Sequence, residues 1–265
     1  MKKNKVNRWD FILQELLQNK RIRVEDLSRR FQVNASTIRR DLEVLEKKNL
    51  LRRVHGGAAP IDALSYAAYG MGLTFQKNLT KMVEEKSAIV SAAAEMIEPG
   101  ENIALSPGTT TTFLARTIRH RQIPNLTVLT NAANIAMELA GVSHLTLIVT
   151  GGILLSDFFA LTGPLAEQSL EQMYVSKAFL GVTGLSVNHG LTGPNQLEAL
   201  SHRATMKRAR EVIILADHSK IGEVALFSIS PLKNIHVLVT DEKAPKDVLR
   251  SLEKMGIRVV IGRNP

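Results

Sequence analysis

The N-terminal fold is decided by residues 36–46, which read STIRRDLEVLE. The apolar residues Ile38, Leu42 and Leu45 recur at the spacing of a helix with one buried face. This spacing predicts a short helix capped by Ser36. Because the apolar residues share one side, the opposite face at the start of the helix is small, polar and cationic.

Two helical patterns precede this stretch, and a hairpin pattern follows it. The first helix is predicted from apolar residues on one face, namely Trp9, Ile12, Leu13, Leu16 and Leu17. The second begins with Glu25 and Asp26, carboxylates that suit the positive end of a helix. Residues 50–54 alternate like a strand, and Gly56 and Gly57 permit a tight turn. We therefore expect residues 1–57 to form three helices and a wing.

The charge is divided unevenly along the 265 residues. The formal net charge is +9, and residues 1–60 hold 15 basic and 7 acidic side chains. Nearly all of the excess positive charge therefore lies in less than a quarter of the chain. Such a distribution favours a basic module that meets a polyanion, joined to an electrically ordinary globular body.

Composition excludes several classes of site. The chain has no cysteine, which excludes disulfides, cysteine zinc fingers, iron-sulfur sites and a cysteine nucleophile. Its seven histidines lack the spacing of zinc ligands, so we expect no metal site and no cofactor. No apolar run approaches the roughly 20 residues that a membrane helix needs. The expectation is a soluble cytoplasmic protein without a membrane partner.

Short apolar runs alternate with helical patterns beyond residue 80. They are predicted strands at Asn102–Leu105, Thr127–Thr130, Leu145–Thr150, Ala178–Val182, Val212–Ala216, Val237–Thr240 and Val259–Ile261. Seven such runs, mostly separated by enough residues for a helix, predict βα units around a mainly parallel sheet. We assign residues 81–265 to this α/β domain and residues 58–80, which lack a sustained period, to a linker.

The outward face of the helix at residues 36–46 fits a DNA groove. It presents Ser36, Thr37, Arg39 and Arg40, and in a helix-turn-helix the first residues of the recognition helix reach the base edges. Arginine can donate two hydrogen bonds to guanine. The alternative is a solvated basic face on a purely structural helix cap.

Residues 106–112 read SPGTTTT between a predicted strand and a predicted helix. Glycine lets the backbone approach an anion, and the free amides at a helix start and the threonine hydroxyls can donate to phosphate. The alternative is a threonine-rich helix cap without a ligand. The loop lacks the Lys-Ser/Thr pair of a nucleotide P-loop, so NTPase activity is not supported.

Three further loops each follow a predicted strand and are expected at the same edge of the sheet. Asn131 can donate to sugar hydroxyls, Gly151 and Gly152 allow close approach, and Lys220 supplies a positive charge. Each signal is weak alone, since an isolated lysine is more often surface and a Gly pair more often a turn.

The N-terminal motifs resemble the winged helix-turn-helix of the DeoR family of bacterial transcriptional regulators. The resemblance rests on residues 23–28, 36–46 and 53–58, above all on the run TIRRDL at residues 37–42. It implies that four helix residues face DNA and that two wing residues lie near phosphates. These residues are Ser36, Thr37, Arg39 and Arg40 on the helix, and Arg53 and His55 in the wing.

The later motifs, in order and spacing, resemble the DeoR-type sensor domain, which is similar in fold to ribose-5-phosphate isomerase and binds phosphorylated sugars or related metabolites. The family commonly has an acidic and a small residue where this chain has Ser106 and Pro107. Glu198 stands where the family tends to have glutamate. The resemblance implies an effector site made of Ser106, Gly108, Thr109, Thr110, Thr111, Asn131, Gly151, Gly152, Glu198 and Lys220.

We therefore expect a DNA-binding regulator and not an enzyme. It would repress a carbohydrate catabolic operon, bind double-stranded operator DNA as a homodimer or homotetramer, and respond to a phosphorylated sugar or sugar-acid. One alternative is an active sugar-phosphate isomerase with a DNA-binding appendage. Another is a general nucleic-acid packaging protein, whose binding would be indifferent to sequence.

Overall fold

The computed structural model describes residues 5–19, 21–47, 50–60 and 73–263. The chain divides into two units, residues 1–84 and 85–265. Part of the linker predicted at residues 58–80, namely residues 61–72, lies outside the described residues. The described part of that segment contains the last two residues of a strand and a seven-residue helix, Leu73–Leu79.

The first unit consists of short helices and a small sheet. Its helices are α1 (Lys5–Asn19), α2 (Val24–Phe31), α3 (Ala35–Lys47) and α4 (Leu73–Leu79), and its strands are β1 (Ile22–Arg23), β2 (Arg52–Val54) and β3 (Gly57–Ala59). Strands β2 and β3 form an antiparallel hairpin, and β1 adds to β3 on its other side. The predicted wing is confirmed, with a third strand that periodicity could not indicate.

Helix α3 begins one residue earlier than expected. The carbonyl oxygen of Asn34 accepts hydrogen bonds from the N–H groups of Thr37 and Ile38, at 2.9 and 3.3 Å. The chain is therefore already helical at Ala35, and the prediction that Ser36 caps this helix is wrong. The apolar face was predicted correctly: Ile38, Leu42 and Leu45 are buried.

The second unit is built on strands that alternate with helices. Helix α5 (Val83–Ala94) crosses the division between the units, and the further helices are α6 (Thr109–His120), α7 (Ala133–Leu139), α8 (Pro164–Glu171), α9 (Gln196–Lys207) and α10 (Lys246–Lys254). The strands are β4 (Asn102–Leu105), β5 (Leu126–Thr130), β6 (Leu145–Val149), β7 (Ile153–Leu155), β8 (Ala160–Thr162), β9 (Val175–Gly181), β10 (Gly184–Ser186), β11 (Gly190–Gly193), β12 (Ala209–Leu215), β13 (Phe227–Ser230), β14 (Val237–Asp241) and β15 (Arg258–Gly262).

Seven of these strands form one parallel sheet in the order β15-β14-β12-β9-β4-β5-β6. They are the seven strands predicted from the apolar runs. Their burial explains the continuous apolar patterns, since β14 is buried at every residue and β9 at five of its seven. Two small antiparallel sheets, β7-β8 and β10-β11-β13, complete the unit.

Parallel strands all end at the same edge of the sheet, here called the carboxyl edge. Residues Ser106, Asn131 and Thr150 come directly after β4, β5 and β6, which are neighbours in the sheet. Lys220 follows β12, which is separated from β4 by β9 alone. At the usual strand spacing, the β12 end lies about 10 Å from the β4 end. The topology therefore gathers the predicted effector loops at one edge.

Candidate functional sites

Helix α3 presents an exposed cationic face at its start. Ser36, Arg39 and Arg40 are exposed, and Thr37 is half-buried. Neither guanidinium forms a hydrogen bond or an ion pair within the described part of the chain. Two unpaired arginines side by side at the exposed start of a helix are suited to forked hydrogen bonds with base edges or phosphates.

A buried ion pair that no sequence pattern indicates holds this helix in place. Asp41 lies on the inner face of α3 and accepts a hydrogen bond from Arg8 Nε at 2.5 Å and one from Trp9 Nε1 at 2.8 Å. All three residues are buried. A buried carboxylate with two donors from α1 fixes the direction of α3, because moving α3 would leave a charge without a partner.

The wing is held by contacts at both of its ends. At its base, the Glu46 carboxylate of α3 accepts from the backbone N–H and the side-chain Nε of Arg53, at 2.7 and 2.6 Å. The pKa of Glu46 is lowered, mainly by the hydrogen bond from the Arg53 backbone, although burial opposes this. At its tip, Arg21 donates to the carbonyl of His55 at 3.2 Å. The two predicted wing residues, Arg53 and His55, are exposed.

The loop after β4 leads directly into the N-terminus of α6. Gly108 caps α6 with a φ of 150°, which disfavours any side chain. The hydroxyls of Thr111 and Thr112 both donate to the Gly108 carbonyl, at 2.9 and 2.6 Å. Those two hydroxyl protons are therefore used inside the loop. The donor that Thr111 can still offer a ligand is its backbone amide, one of three amides at the helix start that lack a partner within the helix.

Ser106 belongs to a chain of contacts that reaches α9. Its hydroxyl oxygen accepts from the Gly181 N–H at 3.1 Å, at the end of β9. The Gly181 carbonyl lies 3.0 Å from His202 Nε2, and His202 Nδ1 lies 2.9 Å from the carbonyl of Glu198. These contacts link the backbone of Glu198, through His202 and Gly181, to Ser106, which lies two residues before Gly108. The role of His202 could not be predicted from the sequence, because its contacts with Glu198 and Gly181 form only in the folded chain.

Glu198 carries the unusual electrostatics of this edge. Its Oε2 atom is buried and has no hydrogen-bond partner within the described residues. Burial raises the pKa of this carboxyl above its ordinary value, and His202 offsets only part of the rise. A second buried polar atom at the edge, Thr150 Oγ1, likewise lacks a partner among the described residues. Such atoms favour a polar ligand, because an unpaired buried polar group is unfavourable.

The other predicted effector residues differ in how they are held. Asn131 Nδ2 donates to the carbonyl of Leu161 in β8, at 3.1 Å. A Cβ atom on Gly152 would lie 2.6 Å from the Thr162 carbonyl oxygen, so glycine there is required by packing against β8. Gly151 is exposed, and an added Cβ would meet only Leu165, at an ordinary distance.

Lys220 stands apart from the other predicted effector residues. It ends a 3₁₀ turn, His218–Lys220, and is half-buried. Its amine forms no hydrogen bond or ion pair within the described part of the chain. The turn itself is held at its first residue, since His218 Nδ1 lies 3.0 Å from the buried carboxylate of Asp241. Lys220 is thus a free positive charge on a fixed turn.

Residues 5–19, 21–47, 50–60 and 73–263 hold no group of three or more His, Cys, Asp or Glu side chains able to bind a metal ion. Within the same residues, no helix has the length and apolar character needed to cross a membrane.

Comparison with protein families gives two matches. Residues 8–63 match the model of the DeoR-like helix-turn-helix domain, and residues 81–242 match the model of the DeoR C terminal sensor domain. Together these matches include every predicted DNA-facing and effector residue.

Three curated relatives match across most of their length. The uncharacterized HTH-type transcriptional regulator YulB of Bacillus subtilis is 36% identical over 90% of this chain and 89% of its own. The putative aga operon transcriptional repressor of Escherichia coli O157:H7 is 33% identical, over 96% and 93%. The lactose phosphotransferase system repressor of Staphylococcus epidermidis is 31% identical, over 90% and 92%.

Among solved structures, one match is a D-ribose-5-phosphate isomerase in complex with phospho-erythronic acid. It is 16% identical, with a TM-score of 0.40 over 51% of this chain and 52% of that chain.

Proposed function

Since the chain belongs to the DeoR family of transcriptional regulators, we propose that it binds a specific DNA duplex through α3 and the wing and releases it when an effector binds at the carboxyl edge. One observation supports the DNA-binding part of this proposal. Arg39 and Arg40 are exposed without a hydrogen bond or ion pair in the described part of the chain, on a helix whose buried face is held by Asp41. Ser36, Thr37, Arg53 and His55 complete the proposed DNA-facing set.

The test of the DNA half uses a duplex selected from a randomised pool by the wild-type chain. Arg39→Ala should abolish the preference for this duplex over random DNA, because base-edge contacts carry the specificity. The matched control is Arg250→Ala, which removes an exposed arginine from α10 in the second unit. Full discrimination by the Arg39 variant would refute the assignment. Binding indifferent to sequence in the wild type would favour the packaging alternative.

We propose that the effector is a phosphorylated sugar or sugar-acid. The amides at the start of α6 and the Gly108 backbone would receive the phosphate, and Lys220 would supply the cation that this loop lacks. The orphaned oxygens of Glu198 and Thr150 suit the hydroxyl groups of a sugar. Ser106, Thr109, Thr110, Thr111, Asn131, Gly151 and Gly152 complete the proposed set.

The names of the relatives support repression of a carbohydrate operon, since one is a lactose phosphotransferase system repressor. Release of DNA requires only that the effector prefer one arrangement of the protein, with a coupling free energy of about 1–3 kcal/mol. A single recognition helix contacts few base pairs, so we propose a homodimer or homotetramer, which light scattering would test.

A panel of sugar phosphates tests the effector half by thermal shift and by release of the selected duplex. Lys220→Ala should leave DNA affinity unchanged and remove the response to the effector. The matched control is Lys246→Ala, which removes an exposed lysine from α10 in the second unit. An unchanged response in the Lys220 variant would show that this lysine is ordinary surface.

The isomerase alternative draws on Glu198, because a buried carboxyl with a raised pKa is suited to proton transfer. We propose sensing without turnover, since the chain carries a DNA-reading module. Incubation of the purified chain with the same panel separates the two functions. A sensor gives a thermal shift without a new sugar phosphate, whereas an isomerase gives product that is lost in Glu198→Gln.

A further inference from the structure

One carboxylate at the end of the recognition helix holds both the backbone and the side chain of a wing arginine. Glu46 lies in the last turn of α3, and Arg53 is the middle residue of β2. Oε1 of Glu46 accepts from the Arg53 N–H at 2.7 Å, and Oε2 accepts from Arg53 Nε at 2.6 Å. These two bonds fix where the wing leaves the helix and how the arginine side chain is directed.

The held guanidinium keeps donors for another partner. Arginine has five N–H donors in a planar group, and Glu46 takes the Nε donor. The two terminal nitrogens of Arg53 form no hydrogen bond in the described part of the chain, and the side chain is 46% exposed. A guanidinium oriented on one edge by a carboxylate can offer its other donors to a phosphate oxygen with little further loss of rotamer freedom.

We propose that Glu46 is a positioning residue for DNA recognition, which strengthens duplex binding by holding Arg53 and the wing although its own charge repels phosphate. This inference rests on the proposed DNA-binding function. The opposite expectation follows from charge alone, because removal of an acidic side chain from a cationic surface should strengthen binding to a polyanion. The two views therefore predict effects of opposite sign.

The same helix supplies a matched control. Glu43 pairs with Lys47 one turn further along α3, and both side chains are substantially exposed, at 45% and 75%. The pKa of Glu43 is lowered by this lysine. Arg53 and Arg40 act on Glu43 through charge alone, whereas its ion-pair partner, Lys47, is on its own helix. Glu43→Ala therefore removes one negative charge without breaking a hydrogen bond to the wing. Glu46→Ala removes the same charge and also releases Arg53.

The experiment measures the Kd of the full chain for a duplex selected by the wild type and for a random duplex, over a series of salt concentrations. Glu43→Ala should bind either duplex as well as the wild type or more tightly. Glu46→Ala should bind the selected duplex about tenfold more weakly. The slope of log Kd against log salt should also be smaller by about 0.9 for this variant, which corresponds to the loss of one phosphate contact. A change of helix stability alone would not alter this slope.

A conservative variant keeps the test sharp. Glu46→Gln retains an acceptor for the Arg53 N–H and should recover part of the lost affinity, which also serves if Glu46→Ala fails to fold. Tighter binding by both Glu46 variants, matching Glu43→Ala, would overturn the inference while the DNA-binding function stands. If the wild type selects no duplex, the proposed function fails, and the random-duplex slopes of the variants still decide whether Glu46 holds a phosphate contact.

Discussion

Replacement of Asp41 by asparagine tests whether the buried pair on the recognition helix is the contact that stabilises the first unit. Asp41 and its partner Arg8 have side chains only 4% and 10% exposed, so solvent screens their attraction little. Asparagine retains an oxygen for the Trp9 indole N–H and removes the charge that Arg8 requires. The variant therefore buries a guanidinium without its counter-ion.

The expected loss is large for a unit of this size. Breaking a buried pair by removing one partner destabilises a protein by about 3–5 kcal/mol. Asp41→Asn should lie near 3 kcal/mol because one hydrogen bond remains. A unit of 84 residues has a total stability of about 4–13 kcal/mol. A loss of this size lowers the Tm of the unit by about 12–24 °C.

Fluorescence provides the assay, since Trp9 is the single tryptophan of the chain and lies in the first unit. Thermal and urea unfolding of the full chain, followed at this residue, reports the first unit. The control is Asp26→Asn, which breaks an exposed pair with Arg29, whose side chain is 79% exposed, and should change stability by less than about 0.5 kcal/mol. Equal shifts for Asp41→Asn and Asp26→Asn would refute the reasoning.

Two further predictions concern pH and backbone packing. Burial raises the pKa of Glu198 above 4.5, so the folded chain holds this proton more tightly than the unfolded chain, and the stability of the second unit falls as pH rises from about 4.5 through the raised pKa. In calorimetry, the stability of the Glu198→Gln variant should depend less on pH than that of the wild type. The two stabilities should be equal at about pH 4, and the variant should be the more stable at about pH 8. An unchanged pH profile would contradict the assignment. Gly57→Ala would place a Cβ atom 1.9 Å from the Ile22 carbonyl oxygen and separate β1 from β3, a loss of about 3 kcal/mol. Gly56→Ala, with a φ of 74° and open space around it, should lose about 1 kcal/mol in the same urea unfolding, and equal losses would argue against the clash.

Within the second unit, the sequence predicted the strands of the parallel sheet and missed those of the two small sheets. All seven strands of the parallel sheet follow from apolar runs, because a strand covered on both faces must be apolar throughout. The strands β7, β8, β10, β11 and β13 have only three or four residues. Such segments have no period of their own, and they become strands only because the fold brings a pairing partner beside them.

The candidate sites also combine features that the sequence predicted with features that only the folded chain shows. Residue type and position after a strand placed Ser106, Asn131 and Lys220 at the carboxyl edge, since parallel strands all end there. The sequence could not predict that Thr111 turns its hydroxyl inward to Gly108, or that His202 links Glu198 to Gly181. The roles of the predicted site residues in binding remain predictions until the variants are measured.

The sequence by itself determined the helix-turn-helix module with its wing, the parallel α/β unit and the basic character of the first 60 residues, because periodicity and charge are local properties of the chain. Only the tertiary structure decided which polar residues hold those elements together. Asp41 meets Arg8 across 33 positions, and Ser106 meets Gly181 across 75. The sequence around a charged or polar side chain does not indicate which distant residue it contacts. Whether that side chain binds a ligand or supports the fold is therefore decided only when folding brings it to its partner.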